Sequence, residues 1–201
     1  RAVAFLILPW AQMWHLALSL IVFYAEHSAL AWTGVKRWAG ERLGLVRWYR
    51  LAYSIQSVVL LGWVWSAYRH ADRSLWCELS TGMIIGGILL MLLGALLAGV
   101  AVLRFGGSAF LGLRPEAPGG LVRSGLHGRM RHPIYTGTIM VLLGWLLLAP
   151  TPATALCVAI TFVYLPLGIH LEERKLIAFF GDAYRRYQQE VPALWPRRHT
   201  T

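Results

Sequence analysis

The sequence predicts an all-α fold: a polytopic membrane helical bundle of about five transmembrane helices, ending in an amphipathic C-terminal cytoplasmic segment. Three observations predict it. Hydrophobic residues make up 57% of the 201 residues and charged residues only 14%, against roughly 25% charged in an ordinary soluble domain. The apolar residues come in long blocks, which a chain this small could not hold entirely inside a polar surface. The basic residues cluster in alternate connections, as the inner face of a membrane favours.

Each block is near the ~20 residues needed to cross the hydrocarbon. The first span is read as Ala2–Tyr24. The chain begins at Arg1, and a cleaved secretory leader would need a small-residue cleavage site and a soluble domain after it. Here the apolar block continues into Phe23 and Tyr24 and more blocks follow, so a true span is expected. The second span is Tyr49–Tyr68. The third, Leu79–Leu103, stays whole because no turn chemistry interrupts it; Gly82, Gly86, Gly87, Gly94 and Gly99 predict close helix packing there. The fourth, Pro133–Ala149, is short, and Pro150-Thr151-Pro152 turns it tightly into the fifth, Ala153–His170. With no internal repeat or low-complexity linker, residues 1–201 read as a single membrane domain. Its halves are three spans in 1–104, then a loop, two spans and a C-terminal lid in 105–201.

Charge orients this arrangement. Lys36, Arg37, Arg42, Arg47 and Arg50 lie in the first loop and at its edge. Arg104, Arg114, Arg123, Arg129 and Arg131 precede the fourth. Arg174, Lys175, Arg185, Arg186, Arg197 and Arg198 follow the fifth. Five spans put these sixteen of the nineteen basic residues on one side, leaving Arg1, Arg69 and Arg73 opposite. The N-terminus is then outside and the tail cytoplasmic. The formal charge of +10 follows from topology and anionic headgroups, and nucleic-acid binding has no support beyond that charge. Trp10, Trp32, Trp48, Trp76 and Trp195 fall at or near span ends, where indoles favour the interface. Cys77 and Cys157 form neither a disulfide framework nor a metal-ligand pattern; Cys157, inside an apolar block, reads as a small buried hydrophobe.

Two stretches carry candidate chemistry. In Arg129-Met130-Arg131-His132-Pro133-Ile134-Tyr135-Thr136-Gly137, Pro133 suits the first turn of a helix. The helix start, its dipole and the flanking Arg131 and His132 favour a carboxylate or phosphate. Gly137, one turn in, allows a ligand or another backbone to approach closely. The second stretch is His170-Leu171-Glu172-Glu173-Arg174-Lys175. A fourth span rising ~1.5 Å per residue and an equal antiparallel return bring these two clusters to the same depth. Ionisable groups at a membrane edge are functional candidates. Either cluster alone is equally a solvated flank or a surface ion pair worth ~0–1 kcal/mol; their conjunction favours function.

These residues resemble the signature of the isoprenylcysteine carboxyl methyltransferase superfamily. Its members include phospholipid N-methyltransferases, methanethiol S-methyltransferases and a denitrification-associated membrane family. The resemblance runs through Arg131-His132-Pro133-x-Tyr135-x-Gly137, Glu172-Glu173-x-x-Leu176, Phe180-Gly181-x-x-Tyr184-x-x-Tyr187, Val191-Pro192 and Pro196. In the N-terminal half, His27-Ser28, Lys36-Arg37 and Tyr49-Arg50-Leu51-x-Tyr53 look most like the bacterial thiol-methylating and denitrification-associated branches.

The resemblance implies S-adenosylmethionine as methyl donor, bound at the cytoplasmic end of the last two spans beneath the C-terminal segment. It implies a cofactor site of His127, Arg131, His132, Pro133, Tyr135, Gly137, Glu172, Glu173 and Tyr184. The donor's carboxylate would suit Arg131, His132 and the helix start. Its amine, sulfonium and ribose hydroxyls would suit Glu172 and Glu173, and its adenine Tyr135 or the tail aromatics. His132, Glu173 and His27 are the candidate proton acceptors. For His27 interface anchoring is the competing role. Ser28, Arg185 and Arg186 are candidates for the acceptor, with phospholipid contact an equal alternative for the arginines. Partners are then a small-molecule or lipid-like acceptor and membrane lipids.

Tail periodicity agrees with a lid. Ile177, Phe180, Tyr184, Tyr187 and Val191 recur at helical spacing, while Arg185, Arg186 and Gln189 point elsewhere. Gly181-Asp182 is expected to split the run into two short helices with Asp182 as N-cap, and an interfacial amphipathic segment remains an alternative. The glycine-rich stretch Phe105–His127 would wrap the donor or merely connect. It lacks a Gly-x-Gly-x-x-Gly run after a strand, which excludes a Rossmann-type methyltransferase. Two function classes stand: a methyltransferase, its acceptor a thiol ahead of a prenylcysteine carboxylate or lipid amine, and a non-catalytic membrane accessory protein.

Overall fold

A computed structural model describes residues 2–44, 48–104 and 120–195, and among them every regular element is helical. Among the described residues seven α-helices occur in order: α1 (Ala2–Ala31), α2 (Thr33–Leu43), α3 (Tyr49–His70), α4 (Thr81–Arg104), α5 (Pro133–Leu148), α6 (Pro152–Phe180) and α7 (Asp182–Glu190). A short 3-10 turn, Gly125–Gly128, precedes α5. By length and hydropathy α4 and α6 can each cross a membrane. The bent pair α1 and α2 can be counted as a third span, and α5 is apolar but short.

Local chemistry sets the boundaries. Trp32 takes an extended conformation, and α2 leaves α1 at 65°. The expected connection after the first span is therefore largely helical, and it carries Lys36, Arg37 and Arg42. Gly44 ends α2 in the left-handed region at φ 64°, donating its N–H to the Ala39 carbonyl. Pro133 and Pro152 occupy first-turn positions, where a missing N–H costs nothing. The Thr151 hydroxyl caps α6 by accepting from the Thr154 N–H at 3.1 Å. Pro166 sits inside α6, yet the helix continues past it.

Helix directions follow from the paired residues. His15 with Trp63, His27 with Tyr53 and Leu30 with Tyr49 make α1 and α3 antiparallel. Tyr24 with Thr161, Ser28 with Tyr164 and Ala31 with Lys175 make α1 and α6 parallel. The Trp76 N–H donates to the Pro150 carbonyl and the Ala153 N–H to the Asp72 carbonyl, both at 2.9 Å. The connection from α3 to α4 therefore lies at the same end as the α5–α6 turn. The polar clusters lie at the other end.

The α4–α5 pair is packed on glycine. A methyl group at Gly94 would stand 2.5 Å from the Gly137 carbonyl oxygen, and one at Gly144 2.6 Å from that of Gly87. The glycines expected to allow close packing do so at Gly87 and Gly94. Gly99 has no neighbour within 4 Å of such a methyl, and Gly82 meets only its own turn. A core of Leu16, Leu20, Val64, Ala67 and Tyr68 with Ala153 and Cys157 joins α1, α3 and α6.

Two expectations for the tail are corrected. α6 does not stop near His170 but runs to Phe180, so Ile177 and Phe180 belong to its last turns. The N-cap of α7 is Gly181, at φ 58°, and not Asp182. Asp182 sits in the first turn and accepts from Arg185 at 2.8 Å. Arg1, Arg47, Arg114, Pro196, Arg197, Arg198 and the glycines at 106, 107, 112 and 119 lie outside the described residues, as does most of the proposed donor-wrapping loop.

Candidate active site

Arg131 and His132 immediately precede α5, and Glu173 lies on the part of α6 beyond the apolar stretch. One carboxylate gathers them. Glu173 Oε1 accepts from Arg131 Nε and Nη2, both at 2.8 Å, and stands 3.0 Å from His132 Nε2. Glu173 Oε2 accepts from Gln188 Nε2 of α7 at 2.9 Å. Such charge-assisted bonds are the strong ones, and here they are sheltered: the Arg131 side chain is 11% exposed and that of His132 3%.

Arg131 also ties down the tail. Its Nη1 donates to the Gln188 carbonyl at 2.9 Å and to the Val191 carbonyl. The backbone N–H groups of Arg131 and His132 donate to the carbonyls of Pro192 and Ala193, both at 2.9 Å. Thr136 Oγ1 reaches the Leu194 carbonyl at 2.7 Å. The chain after α7 is thus stitched along the start of α5. The two backbone N–H groups that precede Pro133 therefore donate to the tail, ahead of the first turn of α5.

α7 supplies the cover. Tyr184, Tyr187 and Val191 pack against Leu121, Leu176, Ile177 and Phe180. The Tyr187 hydroxyl donates to the His127 carbonyl at 2.5 Å. The Tyr184 hydroxyl is buried with no hydrogen-bond partner among the described residues. Burial foremost, then the Glu173 carboxylate, holds it above the usual phenol range. It is therefore a neutral hydroxyl with donor capacity to offer. His127 is buried, and burial followed by Arg104 and His132 lowers its imidazole below the ordinary value.

Glu172 faces a different space. A cavity of about 210 Å³ is walled by His27, Ser28 and Ala31 of α1, Tyr135 of α5, and Tyr164, Gly168, Leu171, Glu172 and Lys175 of α6. Ser28 Oγ lies 2.9 Å from the Tyr164 hydroxyl. The Tyr53 hydroxyl stands 2.8 Å from His27 Nδ1 and 2.9 Å from Nε2, bonding one at a time. Lys175 Nζ donates to the Ala31 carbonyl at 2.5 Å. A methyl at Gly168 would meet the Tyr135 hydroxyl at 3.2 Å, so glycine there keeps the space open.

The expected residues form two adjoining groups, which touch where His132 Nδ1 stands 3.9 Å from Glu172 Oε2. Arg131, His132 and Glu173 form one cluster, with His127 and Tyr184 among the residues packed around it. His27, Ser28, Tyr135 and Glu172 meet in the cavity. Pro133 is buried at the head of α5. Gly137 turns away: its close approach is to the backbone of α4, not to a ligand. Arg185 and Arg186 are exposed on α7, and neither lines the cavity. Tyr53, Tyr164, Gly168, Lys175 and Gln188 join the site beyond the residues assigned to it from sequence, although Tyr53 and Lys175 lie in stretches singled out there. A signal existed for three of these, because Tyr164, Gly168, Leu171 and Lys175 recur at alternating steps of four and three on one face of α6.

Fold and signature together define a helical integral membrane protein of the isoprenylcysteine methyltransferase-like superfamily, in its bacterial branch. More narrowly, the chain belongs to the NnrU protein family, whose model matches residues 15–198. Among curated relatives, methanethiol S-methyltransferase 1 of Bradyrhizobium diazoefficiens is 44% identical over 75 residues, covering 37% of this chain and 26% of that protein. A methanethiol S-methyltransferase of a Pseudomonas species is 27% identical over 198 residues, covering 92% and 74%. The protein-S-isoprenylcysteine O-methyltransferase of Schizosaccharomyces pombe is 35% identical over 74 residues, covering 36% and 31%. No solved structure matches.

Proposed function

We propose that this protein is an S-adenosylmethionine-dependent integral membrane methyltransferase acting on a small or lipophilic acceptor, with a thiol favoured. The observation that carries the reading is the adjacency of two sites. The Arg131–His132–Glu173 cluster, closed by α7 and the tail, shares the Glu172-Glu173 step of α6 with the cavity at His27 and Ser28. One carboxylate faces each side. The relatives whose names state methyl transfer to a thiol or to prenylcysteine support the same reaction class.

The residues suit the donor. The Tyr184 hydroxyl is a buried polar group still able to bond a ligand, and Glu172 and Glu173 are acidic groups suited to an amine, a ribose or a sulfonium. Bound there, the donor supplies an electrophilic methyl on a sulfonium. Arg131 and Gln188 hold Glu173 in place, and α7 excludes water, so that alignment of the acceptor is the protein's main task. The cavity lies below the ~300–1,000 Å³ of drug-sized ligand sites, which suits a small acceptor. His27 takes an acceptor proton where there is one to take.

The reading places five spans in the membrane, α1, α3, α4, α5 and α6, with the N-terminus outside and the site cytoplasmic. Their alternating directions and the basic connections support it. The test is calorimetric titration with S-adenosylhomocysteine, followed by transfer of labelled methyl to thiols, prenylcysteine and phosphatidylethanolamine. Binding and transfer to a thiol are expected. Folded protein that binds no S-adenosylhomocysteine would sink the reading and leave a non-catalytic membrane protein.

A further inference from the structure

Among the described residues, Lys175 is the one cation on the wall of the cavity, apart from whatever proton His27 carries. A lysine whose only role was to meet headgroups would extend outward. This one turns inward instead, and its ammonium is held by the Ala31 carbonyl at the last residue of α1. That bond fixes the charge between the two helices that form the cavity. The groups facing it are His27 of α1, Lys36 of α2, Tyr135 of α5 and Glu172 and Tyr164 of α6. Glu172 balances Lys175 on the cavity wall, and Lys36 of α2 adds a second positive charge nearby. One further negative charge can then be accommodated as one proton arrives on His27.

We propose that Lys175 is a catalytic residue of the acceptor site, its ammonium stabilising the negative charge on an acceptor sulfur as the thiol is ionised. The proposal rests on the methyltransferase reading above. The thiol S–H proton passes to the neutral His27 imidazole. The sulfur lone pair then forms the new S–CH₃ bond, while the methyl–sulfonium bond breaks and its electron pair stays on the leaving sulfur. The proton on His27 leaves through the Tyr53 hydroxyl beside it. An opposite charge within ~4–6 Å typically lowers the pKa of an ionising group by 1–3 units. Lys175 therefore raises the thiolate fraction near neutral pH.

Lys175→Gln keeps a donor for Ala31 and removes the charge, and Lys175→Arg restores it. Against ethanethiol, Lys175→Gln is expected to lose about tenfold or more in kcat/KM, with the rising limb of its pH profile displaced upward by about one unit. Lys175→Arg should recover most of the loss, and S-adenosylhomocysteine affinity should hold in both. A second readout needs no turnover: calorimetry on protein saturated with S-adenosylhomocysteine, comparing ethanethiol with ethyl methyl sulfide, which cannot ionise. Wild type should prefer the thiol, and Lys175→Gln should bind the two alike. Full activity and an intact thiol preference in Lys175→Gln overturn the role of Lys175 and leave the methyltransferase reading standing. Donor-binding wild type that methylates no acceptor overturns both. If Lys175→Gln does not fold, Lys175→Met carries the same comparison, and a wild-type pH profile in it overturns the proposal.

Discussion

At the scale of single residues, Glu173 organises the polar end of the molecule, because Arg131, His132 and Gln188 all converge on its two oxygens. Removing its charge would leave a sheltered guanidinium with only its bonds to the Gln188 and Val191 carbonyls, a destabilising loss of its charge partner. Glu173→Gln should therefore melt several degrees below wild type by tryptophan fluorescence, and it should also bind S-adenosylhomocysteine more weakly. His127 offers a pH test. Its folded-state value is lowered, so as pH falls below about 6.5 the unfolded chain takes up the proton first. The contribution to stability is whole above that pH and drains away until the folded imidazole itself protonates. His127→Asn should flatten part of the fall in melting temperature between neutral pH and about pH 5. Residue types and spacing made Arg131, His132 and Glu173 legible in the sequence. Gln188 was not, since it lies fifteen residues beyond Glu173 and reaches it only through the positive-φ turn at Gly181. Gly137 was read correctly as a close approach, but what approaches is the α4 backbone.

At the scale of elements, the two halves of the protein are joined by different chemistry. α4 and α5 meet through glycine, where Gly87 faces Gly144 and Gly94 faces Gly137, both pairs seven residues apart along each helix. The three atoms nearest a methyl at Gly94 are two backbone atoms and Met140 Cβ, none of which yields cheaply. Gly94→Ala should cost about 1–3 kcal/mol, the usual penalty of overpacking. Gly99→Ala, on the same helix with open space around it, should leave the detergent-unfolding midpoint unchanged or slightly raised. Should both behave alike, close packing is not what these glycines provide. α6 meets α1 and α3 through a polar seam instead: Thr154 with Tyr68, Thr161 with Tyr24, Tyr164 with Ser28, Lys175 with Ala31. The glycine pattern stood out because glycine is conspicuous in an apolar block. The seam did not, since threonine and tyrosine scattered every three or four residues break no hydropathy pattern. Their partners, on α1 and α3, appear only when the helices assemble.

Across the whole molecule, the five blocks of the sequence correspond to α1, α3, α4, α5 and α6, and the charge bias assigns them a proposed orientation. What hydropathy could not provide was the length of α6 or the bend after Ala31. Both lie where the chain leaves the apolar stretch and tertiary contacts take over from the bilayer as the ordering influence. The orientation has a direct test, because the two ends of the bundle differ in reactive thiols. Cys77 is exposed, on the connection whose Trp76 N–H bonds to the α5–α6 turn. In the proposed topology that end faces outward, and the end holding Glu173, α7 and the cavity faces the cytoplasm. A membrane-impermeant maleimide added to intact cells should therefore label wild type at Cys77. With Cys77→Ser as background, a cysteine at exposed Gln189 on α7 should react only after permeabilisation. Cys157, buried at the α1–α3–α6 core, should stay silent in both cases. Labelling of Gln189→Cys in sealed cells would invert the bundle. It would also put the site where a donor made in the cytoplasm could not reach it, and so the topology and the methyltransferase reading are tested by the same reagent.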